Sequence, residues 1–172
     1  MKKNLQNKSS GFTIIEVMIV LAIAALILVV VLIAIPQLQR NQRNAARRDI
    51  LGRVKTELDN YAGNNNGQYP TDNNNATTGF SNGFRTRYLG CTNATTCGVN
   101  INDPRTGRPI LMNNSDAIPV MNTAGDDNGG ANINYSLGDI CAGERPNGPG
   151  QARNYAIAVS LEGGASFCLD NR

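Results

Sequence analysis

The chain has 172 residues, a formal net charge of +3 and no histidine, which leaves room for about one domain and makes an imidazole-based metal or proton-transfer site impossible. The charge excess comes from Lys2, Lys3 and Lys8, since the remaining basic residues balance the 13 acidic ones; this excludes a strong overall attraction to nucleic acid. Apolar residues crowd into the first quarter, and the later three quarters are rich in Asn, Gly, Ser and Thr, so the remainder reads as a polar, turn-rich domain with a modest core.

The first element is the run after Gly11-Phe12-Thr13-Ile14-Ile15-Glu16. Val17 to Ile35 contains no charge over 19 residues, enough to cross a hydrocarbon layer as a helix. A cleaved secretory peptide would explain the basic start and the Ala22-Ile23-Ala24 cleavage-like site, but its apolar part should stop after about 7 to 15 residues. A plain signal anchor explains all but Glu16, because a carboxylate in a spanning helix costs on the order of 2 to 3 kcal/mol unless paired or raised to the interface. Thr13 and Glu16 also have capping-box spacing, and an acid in a first helical turn suits the helix dipole.

A short basic leader, Gly11 before Phe12, Glu16 four positions after Phe12 and an unbroken apolar helix together resemble the N-terminus of type IV prepilins. The resemblance implies that a membrane aspartyl peptidase cuts between Gly11 and Phe12 and that Phe12 is then N-methylated. It also implies a role for Glu16: cleavage creates an ammonium at Phe12, and in the family's filament a glutamate pairs with the N-terminus of a neighbouring subunit. An unpaired carboxylate in apolar surroundings is costly, so such a partner would favour assembly and set axial register. Counting positive charges argues for the reverse orientation, since Arg40, Arg43, Arg47, Arg48 and Arg53 lie beyond the span. The cysteines and the leader place the C-terminal part outside.

Pro36 is expected to end or kink the uniformly apolar part. Beyond it, Leu51, Val54, Leu58 and Tyr61 recur at helical spacing, giving an amphipathic helix whose stripe rests on a sheet. The plain reading of Arg40, Arg43, Arg47 and Arg48 is a solvated or intersubunit face; nucleic-acid contact is the sharper one, but no aromatics interleave with these arginines to stack on bases. Asn64-Asn65-Asn66-Gly67 and Pro70 break the helix. The Asn-rich segment to about Arg108 reads as an ordered loop region.

Cys91, Cys97, Cys141 and Cys168 contain no CxxC pair, so zinc is disfavoured and disulfides formed outside the cytoplasm fit better. Four cysteines allow three pairings, of which Cys91 with Cys97 and Cys141 with Cys168 join neighbours in sequence. The prepilin resemblance adds that Cys141 and Cys168 look like the pair enclosing the family's variable, exposed C-terminal segment. Asp126-Asp127-Asn128-Gly129-Gly130 lacks the calcium-loop pattern and reads as a turn. The triplet Asn93-Ala94-Thr95 is what chance supplies in an Asn-rich chain.

Strand alternation is clearest at Ile133, Tyr135 and Leu137 and at Tyr155, Ile157, Val159 and Leu161. Glu162-Gly163-Gly164 reads as a three-residue hairpin loop, which sets Phe167 and Leu169 on the face of Ile157 and Val159 and turns Cys168 away from it.

The expected fold is α+β: a long N-terminal helix packed on a C-terminal antiparallel sheet. The expected divisions are 1–11 leader, 12–35 spanning or filament-core helix, 36–62 amphipathic continuation and 63–172 disulfide-bonded head. No cofactor, metal or catalytic residue is expected. The resemblance implies a pilus subunit, inserted as a precursor in the cytoplasmic membrane and then carried in an extracellular fibre. Its implied partners are copies of itself, a prepilin peptidase, an inner-membrane platform, motor ATPases, minor pilins and surface or host-cell receptors. The alternatives are a minor pilin, a secretion or competence pseudopilin, and a membrane-anchored adhesion or DNA-binding module.

Overall fold

The computed structural model describes residues 11–71, 83–92, 97–98, 101–114 and 130–172. The leader lysines, the Asn93 triplet and Asp126 to Gly129 lie outside the described residues. Internal contacts divide the chain into two compact units, Met1–Gln39 and Arg40–Arg172.

Helix α1 runs from Ile14 to Asn64 with Pro36 inside it. Pro36 therefore does not end the helix. Its missing N–H removes one hydrogen bond, but Gln, Leu, Arg and Ala dominate the stretch after it, and these are strong helix formers. The end comes where the asparagines begin. Gly67 N–H donates to the Ala62 carbonyl at 2.8 Å, Asn65 Nδ2 donates to the Tyr61 carbonyl at 2.8 Å, and Asn66 and Gly67 take φ of 56° and 75°. This left-handed exit satisfies carbonyls that the last turn leaves open.

In the first unit every described residue is exposed. The large apolar side chains from Phe12 to Leu38 are 44% to 90% exposed. Nothing among the described residues covers them.

In the second unit α1 buries one stripe, Ile50, Leu51, Val54, Leu58, Tyr61 and Ala62. It shares a core with Ile133 and Tyr135 of β2 (Asn132–Leu137) and with Tyr155, Ile157 and Val159 of β5 (Tyr155–Ser160). These residues alternate along their strands, so the period of two aims them at the helix. Among the described residues the sheet has four strands in the order β1-β2-β5-β6, with β1 at Leu111–Asn114 and β6 at Ser166–Asp170. One pairing differs from the antiparallel expectation: β1 runs parallel to β2, Met112 opposite Ile133. Parallel neighbours need a long return connection, and residues 115–131 are long enough to supply it. The sheet is thus mixed.

The β5–β6 turn is the three-residue loop. Leu161 N–H donates to the Ala165 carbonyl at 2.8 Å, and Val159 stands opposite Phe167 with Ala158 opposite Cys168. A second hairpin, β3 (Asp139–Ala142) with β4 (Arg145–Pro149), packs against β5 and β6. Ala156 and Ala158 point away from the helix yet are fully buried, because this hairpin covers them. Their smallness lets it approach. At the base of this hairpin Gly150 allows another close approach: a Cβ there would run into the Gly138 carbonyl oxygen.

Two disulfides are present. Cys91–Cys97 closes the loop after the short helix α2 (Arg85–Tyr88), and Cys141–Cys168 fastens β3 to β6. Around the second, Cys141 N–H donates to Asp170 at 2.9 Å and Ser166 Oγ to the Glu144 carbonyl at 2.6 Å.

Candidate processing and assembly site

Thr13 stands just before the first helical residue, where side-chain oxygens are best placed to cap. Its backbone N–H and its hydroxyl each donate to Glu16 Oε2 at 2.8 Å, and Glu16 N–H donates back to Thr13 Oγ1 at 3.3 Å. This is a reciprocal capping box. The bland reading of Glu16 therefore holds in the single chain, and the acid sits exposed at the start of an exposed apolar helix. Phe12 is 90% exposed beside it, still peptide-bonded to Gly11, so no terminal ammonium exists in this form.

Pro36 and the cysteine pairs lie elsewhere in the chain. Helix α1 is the one element among the described residues long and apolar enough to cross a membrane, with a peak mean hydropathy of 3.5.

The arginines beyond the span are not a free solvated face. Arg47 is fully buried and donates to both oxygens of Asp103 at 2.9 and 3.1 Å. Arg43 makes a forked pair with Glu162 at 2.6 and 2.8 Å, the geometry in which a guanidinium binds a carboxylate best. Asn44 closes the cluster, accepting from Glu162 N–H at 2.8 Å and donating to its carbonyl at 3.2 Å. Arg48 lies over the Phe167 ring, 5.5 Å from its centroid, and Arg53 pairs with Asp49 at 2.5 Å. The hydrogen bond from Arg43, helped by the charges of Arg47 and Arg105, holds the Glu162 carboxyl below its ordinary range against the opposing effect of burial. This use of the arginines withdraws Arg47 from the surface and ties Arg43 to Glu162, while Arg40 and Arg48 stay exposed.

Asp103 and Glu162 were not singled out by sequence reasoning. One signal was available: extending the Leu51-Val54-Leu58 stripe back by four reaches Arg47, so a cation belongs to the buried face and must have buried partners. Which acids supply them depends on long-range packing. Among the described residues no group of three or more His, Cys, Asp or Glu is placed to hold a metal.

Residues 6–32 match the family model of the prokaryotic N-terminal methylation motif. The matched stretch is the N-terminal part of the chain only, and with the long apolar helix it is consistent with a type IV pilin-like protein. No curated protein matches it, and no solved structure does. The motif spans the Gly11–Phe12 junction, the Thr13–Glu16 cap and most of the apolar helix, and the α+β layout behind it matches the pilin fold. A leader of this type implies processing by a prepilin peptidase, and the apolar helix behind it suggests insertion in a membrane.

Proposed function

We propose that the protein is a structural subunit of a type IV pilus. Cut after Gly11 and methylated at Phe12, it polymerises with α1 in the fibre core and the Arg40–Arg172 unit outside, catalysing nothing itself. The observation that carries this reading is the fully uncovered apolar helix from Phe12 to Leu38 joined to the methylation motif. A surface of that kind needs lipid or copies of itself. Glu16 guides register: its Oε2 is held by Thr13, and the new Phe12 ammonium of a neighbouring subunit would complete its surroundings. Partners on this reading are the platform, motor ATPases and minor pilins, with receptors at the cell surface.

Mass spectrometry of sheared surface fibres tests it. The subunit should begin at N-methylated Phe12, and retention of Met1 or Lys2 would exclude the route. Abundance separates the readings inside the class, since a main subunit dominates the fibre and a minor pilin or pseudopilin does not. Glu16→Ala should insert in the membrane normally and lose most of its filament yield; normal yield would remove Glu16 from assembly.

A further inference from the structure

Three guanidinium groups on one face of α1 converge on one carboxylate. Arg40, Arg43 and Arg47 stand 4.0, 2.6 and 3.3 Å from Glu162, and the charge of Arg105 acts on the same group. With Asp103 included, four cations meet two carboxylates among the described residues. The acids lie inside, their side chains 1% and 12% exposed, whereas Arg40 is 52% and Arg43 30% exposed, and Arg105 is exposed too. The surface of this cluster is therefore positive, although its interior is paired. At 4.0 Å the contact of Arg40 with Glu162 is too long for a hydrogen bond, so its donors remain available to an outside acceptor.

Its position in the chain indicates which acceptor. Arg40 comes five positions after Ile35, where the apolar run ends, a rise of about 7.5 Å along a helix. One headgroup layer is about 5 to 7 Å deep, and a guanidinium on its long stem reaches back toward such a layer readily. A planar fork of donors matches a phosphate.

We propose that Arg40, supported by Arg43 and Arg105, docks the Arg40–Arg172 unit on the phosphates of anionic lipids in the leaflet where α1 emerges, and holds the precursor there until assembly. The proposal rests on the membrane-inserted precursor reading. It also accounts for three of the five arginines that contradict positive-charge counting: Arg43 and Arg47 belong to internal carboxylates, and Arg40 belongs to the lipid.

The test uses the full, uncut chain reconstituted in phosphatidylcholine vesicles containing trace spin-labelled phosphatidylglycerol or spin-labelled phosphatidylcholine, with the protein-associated lipid fraction read by electron paramagnetic resonance. The unaltered chain should prefer phosphatidylglycerol severalfold, about fivefold for one arginine, and the preference should shrink as salt rises above about 0.15 M. Arg40→Gln should lose most of it, Arg40→Gln with Arg105→Gln nearly all, and Arg40→Lys should keep part. Intact disulfides in each variant show that the fold survives.

Equal association of the two lipids with the unaltered chain would overturn the proposal. So would an undiminished preference in the double variant, which would move the contact to Lys2, Lys3 and Lys8, or displacement of the label by a single-stranded oligonucleotide. Failure of the precursor reading shows differently, as a chain that does not float with the vesicles.

Discussion

Glu162 sits in a hairpin loop, a place where an acid would ordinarily be solvated, yet it is the acceptor that forks with half-buried Arg43 and helps Arg47 leave water. Because its carboxyl is held below the ordinary value, its contribution is full above the usual carboxylate range, near pH 4.3, and is lost as pH falls through the lower folded value. Thermal melts of the detergent-solubilised chain should therefore have a constant midpoint from neutrality to about pH 5 and a falling one below about pH 4. Glu162→Gln should lower the midpoint at neutral pH and flatten the acid-side fall; an unchanged acid limb would show that other carboxylates carry it. Asp103→Asn strikes the fully buried partner, Arg47. Leaving that charge underpaired should cost on the order of 3 kcal/mol, measurable by denaturant unfolding.

Helix α1 shows how much of an element can be read from spacing. Leu51, Val54 and Leu58 recur at three and four and are all fully buried, so Leu58→Ala should lose about 3 kcal/mol through the cavity it opens, whereas Thr56→Ala on the exposed face should change stability little. The β5–β6 hairpin was equally readable, since alternation and a Glu-Gly-Gly loop suffice to set its register. The strands that escaped, β1, β3 and β4, have no such pattern. β1 is Leu-Met-Asn-Asn and β4 is Arg-Pro-Asn-Gly-Pro; they are strands because a neighbour pairs with them, and that depends on contacts distant in sequence. The side-chain contacts divide in the same way. Thr13 and Glu16 are near neighbours and were readable, while the partners of Arg47 and Arg43 are 56 and 119 residues away.

For the molecule as a whole, the outer hairpin is held to the sheet by one covalent link and a few hydrogen bonds, over a floor of Ala156 and Ala158. Opening Cys141–Cys168 by replacing both with Ser should destabilise the head by about 3 kcal/mol on a loop-entropy basis and expose the hairpin to protease before the remainder. Equal protease resistance would show that packing alone retains it. Alkylation without reductant should label no thiol, as all four cysteines are bridged.

The division after Gln39 has a practical side. Upstream lies a rod written for oil, every described side chain uncovered; downstream, a body whose buried residues, ion pairs and bridges are all supplied from within. A gene beginning at codon 40 and routed to the periplasm should thus yield a freely dissolving protein with both bridges formed, and a product that stays in the pellet would mean the severed rod had been holding the body together.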